Sequence, residues 1–211
     1  MRGALRAEIE RILAAAGPLL KVRSCTLFTE DASPEACISV NRDKQEKVSE
    51  SKDEAEALQF VAQHLCDVCK LFGSIVYASG LVIEDSYPQD QTAWCSKSVI
   101  RDGVGIDRDT GTARDTVKFD YEVLETGPLF TLRMQVENVT ESDKRILNLM
   151  LALLKQGIYV GGKRAAGLGK IILHTWPVTV TGFHSAHDLW QAIMAGKEPH
   201  QPLTWEGETP C

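Results

Sequence analysis

The chain has 211 residues, 44% hydrophobic and 25% charged, with a formal net charge of −6. That is the composition of one globular domain, or one plus an excursion, with enough apolar residues for a core. No apolar run approaches the roughly 18 residues of a membrane span, no secretory leader is visible, and net acidity argues against a general nucleic-acid binder while leaving room for a local basic track. The expected location is the cytoplasm.

Residues 3–16 form the first predicted helix, because Leu5, Ile9, Ile12 and Leu13 recur at helical spacing. Gly17-Pro18 follows as a stop signal. Arg2 and Arg6 are one turn apart beside the apolar face, and suit either a solvated basic edge or contact with a phosphate. The stretch 1–23 carries five basic residues against two acidic ones. Residues 24–55 are polar, turn-prone and mixed in charge, which predicts a long, partly mobile excursion. Helical spacing returns over 55–71, until Phe72-Gly73-Ser74 breaks it.

Cys25, Cys37, Cys66 and Cys69 group around this second helical segment. In a cytosolic chain, metal ligation or free thiols are favoured over disulfides. The two-residue gap in Cys66-Asp67-Val68-Cys69 lets both thiolates face one ion. Structural zinc on four cysteines is the expected reading, with His64 as a possible replacement ligand. A pair of buried thiols near a helix end is the alternative. A redox pair is disfavoured because no βαβ pattern surrounds it. Cys95 and Cys211 look unpaired.

Residues 75–84 read as a strand, and 87–98 as irregular. A hairpin is predicted from Val99-Ile100 through Val117-Phe119, turning at Asp107-Arg108-Asp109-Thr110-Gly111, where Gly111 suits a left-handed conformation. Its basic residues, Arg101 and Arg108 among them, alternate with Asp102, Asp107, Asp109 and Asp115, so it is either a charge-balanced exposed hairpin or a protruding arm. Residues 119–123 and 130–136 alternate in period two and suggest one long bent strand. Thr140 is a good helix N-cap with Asp143 three residues on. Ile146, Leu147, Met150, Leu151 and Leu154, widened by Leu149 and Leu153, predict a deeply buried helix over 140–156.

The segment Gly161-Gly162-Lys163-Arg164-Ala165-Ala166-Gly167-Leu168-Gly169-Lys170 follows. Its glycines permit positive φ and close backbone approach, and its amides and cations suit a phosphate-rich ligand. A Walker loop requires Lys and then Ser or Thr after the second glycine, whereas Leu168 and Gly169 follow Gly167 here. A dinucleotide loop runs from strand to helix, and this one runs from helix to strand. A polyanion such as an RNA backbone is therefore the better candidate ligand, against the alternative of a glycine-rich turn used for packing. Residues 171–181 then form a strand interrupted by Pro177, 184–195 a short helix, and the tail from Gly196 is irregular.

In this order, four blocks resemble the RAMP superfamily, and more narrowly the backbone subunit of type III CRISPR effector complexes. They are Arg2-Gly3-Ala4-Leu5-Arg6, the stretch from Cys66 to Ser74, the stretch from Arg101 to Ala113 leading into Phe119-Asp120-Tyr121-Glu122, and Gly161 to Gly169. The resemblance spans roughly residues 1–180. It implies an α+β, ferredoxin-like (RRM-like) core of βαββαβ order over 1–182, with a zinc-knuckle insertion at 24–72, a thumb hairpin at 97–118 and a C-terminal extension at 183–211. It also implies an RNA-guided antiviral role in a multisubunit complex with CRISPR RNA and target RNA. The guide backbone falls to Gly161, Gly162, Lys163, Arg164, Gly167 and Gly169, with Arg2 and Arg6. The thumb, with Arg101 and Arg108, would wedge the guide–target duplex. Cys25, Cys37, Cys66 and Cys69 match a structural zinc knuckle found in some members. Base pairing would read sequence while the protein reads shape and backbone.

The sequence departs from the family at its start, because the first strand and the loop bearing the aspartate credited with target-RNA cleavage are missing before Arg2-Gly3. No aspartate here aligns with it, and no catalytic residue is assigned. In a ferredoxin-like sheet that strand lies between the third and fourth, so its absence leaves backbone groups unpaired. The expectation is that the product starts upstream, or that another segment fills the gap by strand addition. Direct pairing of strands near Phe130 and Ile172 would overturn this. A non-catalytic assembly scaffold is the alternative function. A metal-dependent hydrolase is disfavoured, because His174, His184, His187 and His200 form no compact motif with carboxylates.

Overall fold

The computed structural model describes residues 1–26, 30–89, 98–174, 180–182 and 201–203, the last two segments by their backbone. The predicted helix at 184–195, Pro177, Cys95 and Cys211 lie outside the described residues. The chain divides into two compact units, residues 1–80 with 137–211, and residues 81–136. It mixes helices with small antiparallel sheets, an α+β composition.

In the first unit, α1 (Arg2–Leu20) buries Leu5, Ile9, Leu13 and Gly17. Gly17-Pro18 does not end the helix as predicted. Pro18 sits in the final turn, where it forfeits one backbone bond. The helix closes when Lys21 adopts φ 51 and the Val22 amide donates to the Gly17 carbonyl at 3.1 Å. A Cβ at position 17 would stand 2.9 Å from the Val22 carbonyl oxygen, so the glycine serves the cap.

The region read as a mobile excursion holds a helix, α2 (Arg42–Glu50). Asn41 caps it, accepting from the Lys44 amide at 3.0 Å. Lys44 is buried, and its ammonium donates to the carbonyls of Ala36 at 2.6 Å and Pro34 at 2.7 Å. Polar side chains thus satisfy the loop that the charge pattern made look mobile. The single helix predicted over 55–71 is two helices, α3 (Glu54–His64) and α4 (Asp67–Phe72), because Leu65 and Cys66 are extended.

The longest helix of the second half, α5 (Glu141–Gln156), begins with the predicted capping box. The Asp143 amide donates to Thr140 Oγ1 at 3.2 Å, and the Thr140 amide donates to Asp143 Oδ2 at 2.9 Å. Its fully buried apolar stripe is narrower than predicted: Ile146, Met150 and Leu154 are buried, whereas Leu147, Leu149, Leu151 and Leu153 are half-buried. The helix packs on α1 and α4 and leaves its flanks partly open. After it, β5 (Ile158–Tyr159) pairs antiparallel with β6 (Lys170–Ile171). The predicted strand at 171–181 is thus short where described, and Leu173 donates back to the Leu154 carbonyl at 2.8 Å. Further on, β7 (Val180–Gly182) pairs antiparallel with β8 (Gln201–Leu203), so the tail read as irregular carries a strand.

In the second unit, β1 (Leu81–Ile83) pairs antiparallel with β4 (Met134–Val136), far shorter than the strand predicted over 75–84. The hairpin is β2 (Ser98–Ile106) with β3 (Ala113–Leu124), in register from Ser98↔Leu124. It therefore takes in 119–123, which does not continue into 130–136 as one strand. Gly111 adopts φ 68 in the turn. The strands near Phe130 and Ile172 do not pair with each other: Phe130 bridges Pro88, and Ile171 pairs with Ile158.

Replacing Thr140 with alanine removes one arm of the capping box. The expected cost is about 1 kcal/mol, read as a fall of roughly 2–4 °C in melting temperature for a domain of this size. An unchanged melting curve would show that the box adds nothing.

Candidate metal centre and basic loop

Backbone pairing brings the four cysteines together. The Arg23 amide donates to Asp67 Oδ2 at 2.7 Å, the Asp67 amide returns a bond to the Arg23 carbonyl at 3.1 Å, and the Arg23 guanidinium reaches the Leu65 carbonyl at 2.8 Å. This ties the segment carrying Cys25 to the start of α4. On the other side, the Ile38 amide donates to the His64 carbonyl at 3.0 Å, and Gln45 donates to the Ile38 carbonyl at 2.8 Å, which sets Cys37 beside Cys66. The break at Leu65-Cys66 makes Cys66 the N-cap of α4, its sulfur accepting from the Cys69 amide at 3.4 Å.

The sulfurs of Cys25, Cys37, Cys66 and Cys69 all lie within 4.8 Å of one another. Cys25 Sγ is 3.4 Å from Cys69 Sγ and 3.6 Å from Cys66 Sγ. A disulfide requires about 2.05 Å, whereas tetrahedral zinc with Zn–S near 2.3 Å spaces its sulfurs by about 3.8 Å. Side by side, such thiols cannot all ionise freely. Hydrogen bonding from Cys25 holds Cys37 below the ordinary thiol range and pulls Cys69 down to about 7, while Cys25, bonded to Cys37, is pushed up. A divalent cation removes that conflict by stabilising every thiolate.

The surroundings fit thiolates. The Cys66 amide donates to Cys37 Sγ at 3.3 Å. Ser39 Oγ is buried with no hydrogen bond of normal geometry, yet lies where it favours the thiolate forms of Cys37 and Cys69. His64 is not in the cluster: its Nδ1 bonds the Phe60 carbonyl at 2.8 Å and its ring stacks on Phe60. Sequence reading missed Arg23, Ser39 and Lys44 as supports of the site. Asn41 with Asp43 in the first turn was the available helix-start signal, obscured by the surrounding run of charges.

Arg2 and Arg6 of α1 reach the end of α4, Arg2 while remaining exposed, whereas Arg11 of the same helix is exposed and pairs with Glu8 at 2.7 Å. Arg2 donates to the Phe72 carbonyl. Arg6 is bonded to Glu10 at 2.7 Å, to the Gly73 carbonyl at 2.7 Å and to Cys69 Sγ at 3.2 Å. Burial opposes the Arg6 charge, but the bond to Glu10 and the Cys69 sulfur outweigh it and raise its pKa. The two guanidiniums thus sit on the C-terminal end of α4, where the helix dipole and free carbonyls favour cations.

The basic segment is the loop between β5 and β6, closed by the Val160 amide donating to the Gly169 carbonyl at 2.9 Å. It is a hairpin loop rather than a direct helix-to-strand turn. Gly161, Lys163, Gly167 and Gly169 all have positive φ, and a short 3-10 turn occupies Arg164–Ala166. Every residue from 161 to 167 is exposed. A Cβ at position 169 would fall 1.9 Å from the Val160 carbonyl oxygen, so no other residue fits there without moving the strand pair.

In the second unit, Arg101 and Arg108 are exposed, Arg101 opposite Tyr121 on the hairpin stem and Arg108 in its turn. Asp107 Oδ1 accepts from the amides of Thr110 at 3.1 Å and Asp109 at 3.0 Å, which holds its carboxyl below the usual range. Asp102 lies 3.7 Å from Lys118 Nζ. On the face shared by Arg101, the Phe119 ring covers Gly103, where a Cβ would meet it at 2.5 Å, and stacks with Tyr121.

A family model described as RAMPs, RAMP superfamily, matches residues 1–172. No curated protein matches the chain. Among the described residues, no helix is long and apolar enough to cross a membrane.

Metal analysis of freshly purified protein is expected to give about one zinc per chain. Cys66→Ser should lower it and raise hydrogen exchange across 25–72. Absence of zinc would reduce the cluster to buried thiols. For the loop, Gly169→Ala should cost about 1–3 kcal/mol or more through forced backbone strain, whereas Gly162→Ala, whose Cβ meets nothing within 4 Å, should leave the melting temperature near that of the parent. Equal melting of the two variants would contradict this account of the loop.

Proposed function

The chain belongs to the RAMP superfamily, and on that premise we propose that it is a CRISPR-RNA-binding backbone subunit of a type III RNA-guided effector complex. Members of the superfamily work in multisubunit complexes with CRISPR RNA, which gives the chain a CRISPR-associated role in general terms. In this reading the loop 161–169 holds the guide backbone and the β2–β3 hairpin wedges the guide–target duplex. In this reading the core is ferredoxin-like. The 24–72 knuckle is a structural zinc insertion, and 183–211 an extension.

The observation that carries the reading is the loop's conformation. Four positive-φ positions turn an exposed backbone outward beside Lys163 and Arg164, an arrangement suited to phosphates because amides and cations act together. Its modest charge is adequate when repeated subunits add their contacts along one strand.

A second reading, an assembly scaffold without direct RNA contact, draws support from α1. Arg6 is engaged on Glu10, Gly73 and Cys69, and Arg2, though exposed, bonds the Phe72 carbonyl, so both spend donors within the chain. The RNA reading therefore rests on the loop.

Replacing Lys163 and Arg164 together by alanine separates the two. A guide-backbone subunit should bind single-stranded RNA more weakly, and the slope of log affinity against log salt should shrink by about 1.4, the loss of two phosphate contacts. Affinity and slope both unchanged would remove the loop from any RNA site and leave the scaffold.

A further inference from the structure

Sulfur in a four-thiolate zinc site carries more charge than the metal cancels, leaving the centre with a double negative charge. The groups that donate to those sulfurs therefore set how firmly the metal is held. Two donors here are backbone amides, of Cys66 to Cys37 and of Cys69 to Cys66. One is a formal cation. The Arg6 guanidinium lies 3.2 Å from Cys69 Sγ, and its side chain is only 13% exposed, so water screens the interaction weakly. Glu10 fixes the guanidinium from one side and the Gly73 carbonyl from another, leaving Nη2 aimed at the sulfur. Among the described residues Glu10 is the carboxylate bonded to it, so the cation is shared between a carboxylate and a thiolate.

We propose that Arg6 is a positioning residue of the metal centre, donating a charge-assisted hydrogen bond to the Cys69 thiolate and so slowing loss of the metal while locking α1 to the knuckle. The inference rests on the zinc reading above. It gives Arg6 a task distinct from RNA contact, and distinguishes it from Arg2, which bonds the same end of α4 through the Phe72 carbonyl but, among its described hydrogen bonds, reaches no sulfur. A lysine at position 6 keeps the charge but not the planar fork that serves three acceptors at once, so it should restore only part of the effect.

The test compares the full chain with Arg6→Gln, Arg6→Lys and Arg2→Gln. Zinc transfer to a chromogenic chelator is timed. In parallel, Co2+ replaces zinc as a probe, and its thiolate-to-metal charge-transfer band is recorded. Expected is zinc release about tenfold faster in Arg6→Gln, with the band moved to lower energy because the uncompensated thiolate holds its electrons less tightly. Arg6→Lys should be intermediate, and Arg2→Gln close to the parent in both readouts. If the parent shows the four-thiolate spectrum but Arg6→Gln matches it in rate and band, the inference fails and the zinc reading stands. Equal acceleration in Arg2→Gln and Arg6→Gln with no band shift also overturns it, since both would then act by loosening α4. Should the parent itself show no four-thiolate spectrum, the zinc reading fails and takes this inference with it.

Discussion

Four sulfurs held within 4.8 Å of one another impose the constraint on which the first unit depends. Thiols at that spacing are not cross-linked and are too close to ionise together. Their neighbourhood makes sense as preparation for negative charge: amides point at sulfur, a buried serine hydroxyl waits for an acceptor, and a part-buried guanidinium stands against Cys69. Much of the local backbone follows from that requirement. The chain breaks at Leu65-Cys66, turns α4 into a separate short helix, and pulls the Arg23 segment and the Cys37 loop onto it.

The same constraint divides the basic residues of the chain by task. Arg2 and Arg6 of α1 bond carbonyls and sulfur at the end of α4. Residues of the β5–β6 loop lie at the surface. A net charge of −6 is compatible with both, since neither arrangement depends on the overall charge. What each needs is a local set of acceptors, supplied by the fold in one case and, in the proposed function, by a ligand in the other.

How much of this was legible beforehand depended on the range of the interactions. The stripe Leu5, Ile9, Leu13 and the Thr140–Asp143 box were readable because they act within one or two turns of helix. So were the hairpin turn ending at Gly111 and the grouping of the cysteines. The α2 helix was not, because its stability comes from Lys44 and Asn41 satisfying carbonyls and amides of a loop whose path the sequence does not display. The direction of Arg2 and Arg6 was hidden for the same reason: apart from Glu10, their partners lie more than sixty residues away. Strand lengths were overread at 75–84 and, among the described residues after Ile171, at 172–174, since alternation marks side chains fit for a sheet without guaranteeing a neighbouring strand to pair with.

The clash at Gly169 has a consequence for how this protein can vary. The loop's path is dictated from its two ends, by the Val160–Gly169 backbone bond and a position where only hydrogen fits on Cα. Positions 164–166 between those ends are exposed and contribute side chains rather than shape, whereas Lys163 is itself held at φ 56. Frame and chemistry are thus separable: the charge, size and polarity presented at the loop's crest can drift, or be exchanged by an engineer, while the hairpin beneath stays in register. Substitutions in this loop should accordingly grade from silent in folding at Gly162, through moderate strain at the positive-φ positions Gly161 and Gly167, to nearly intolerable at Gly169.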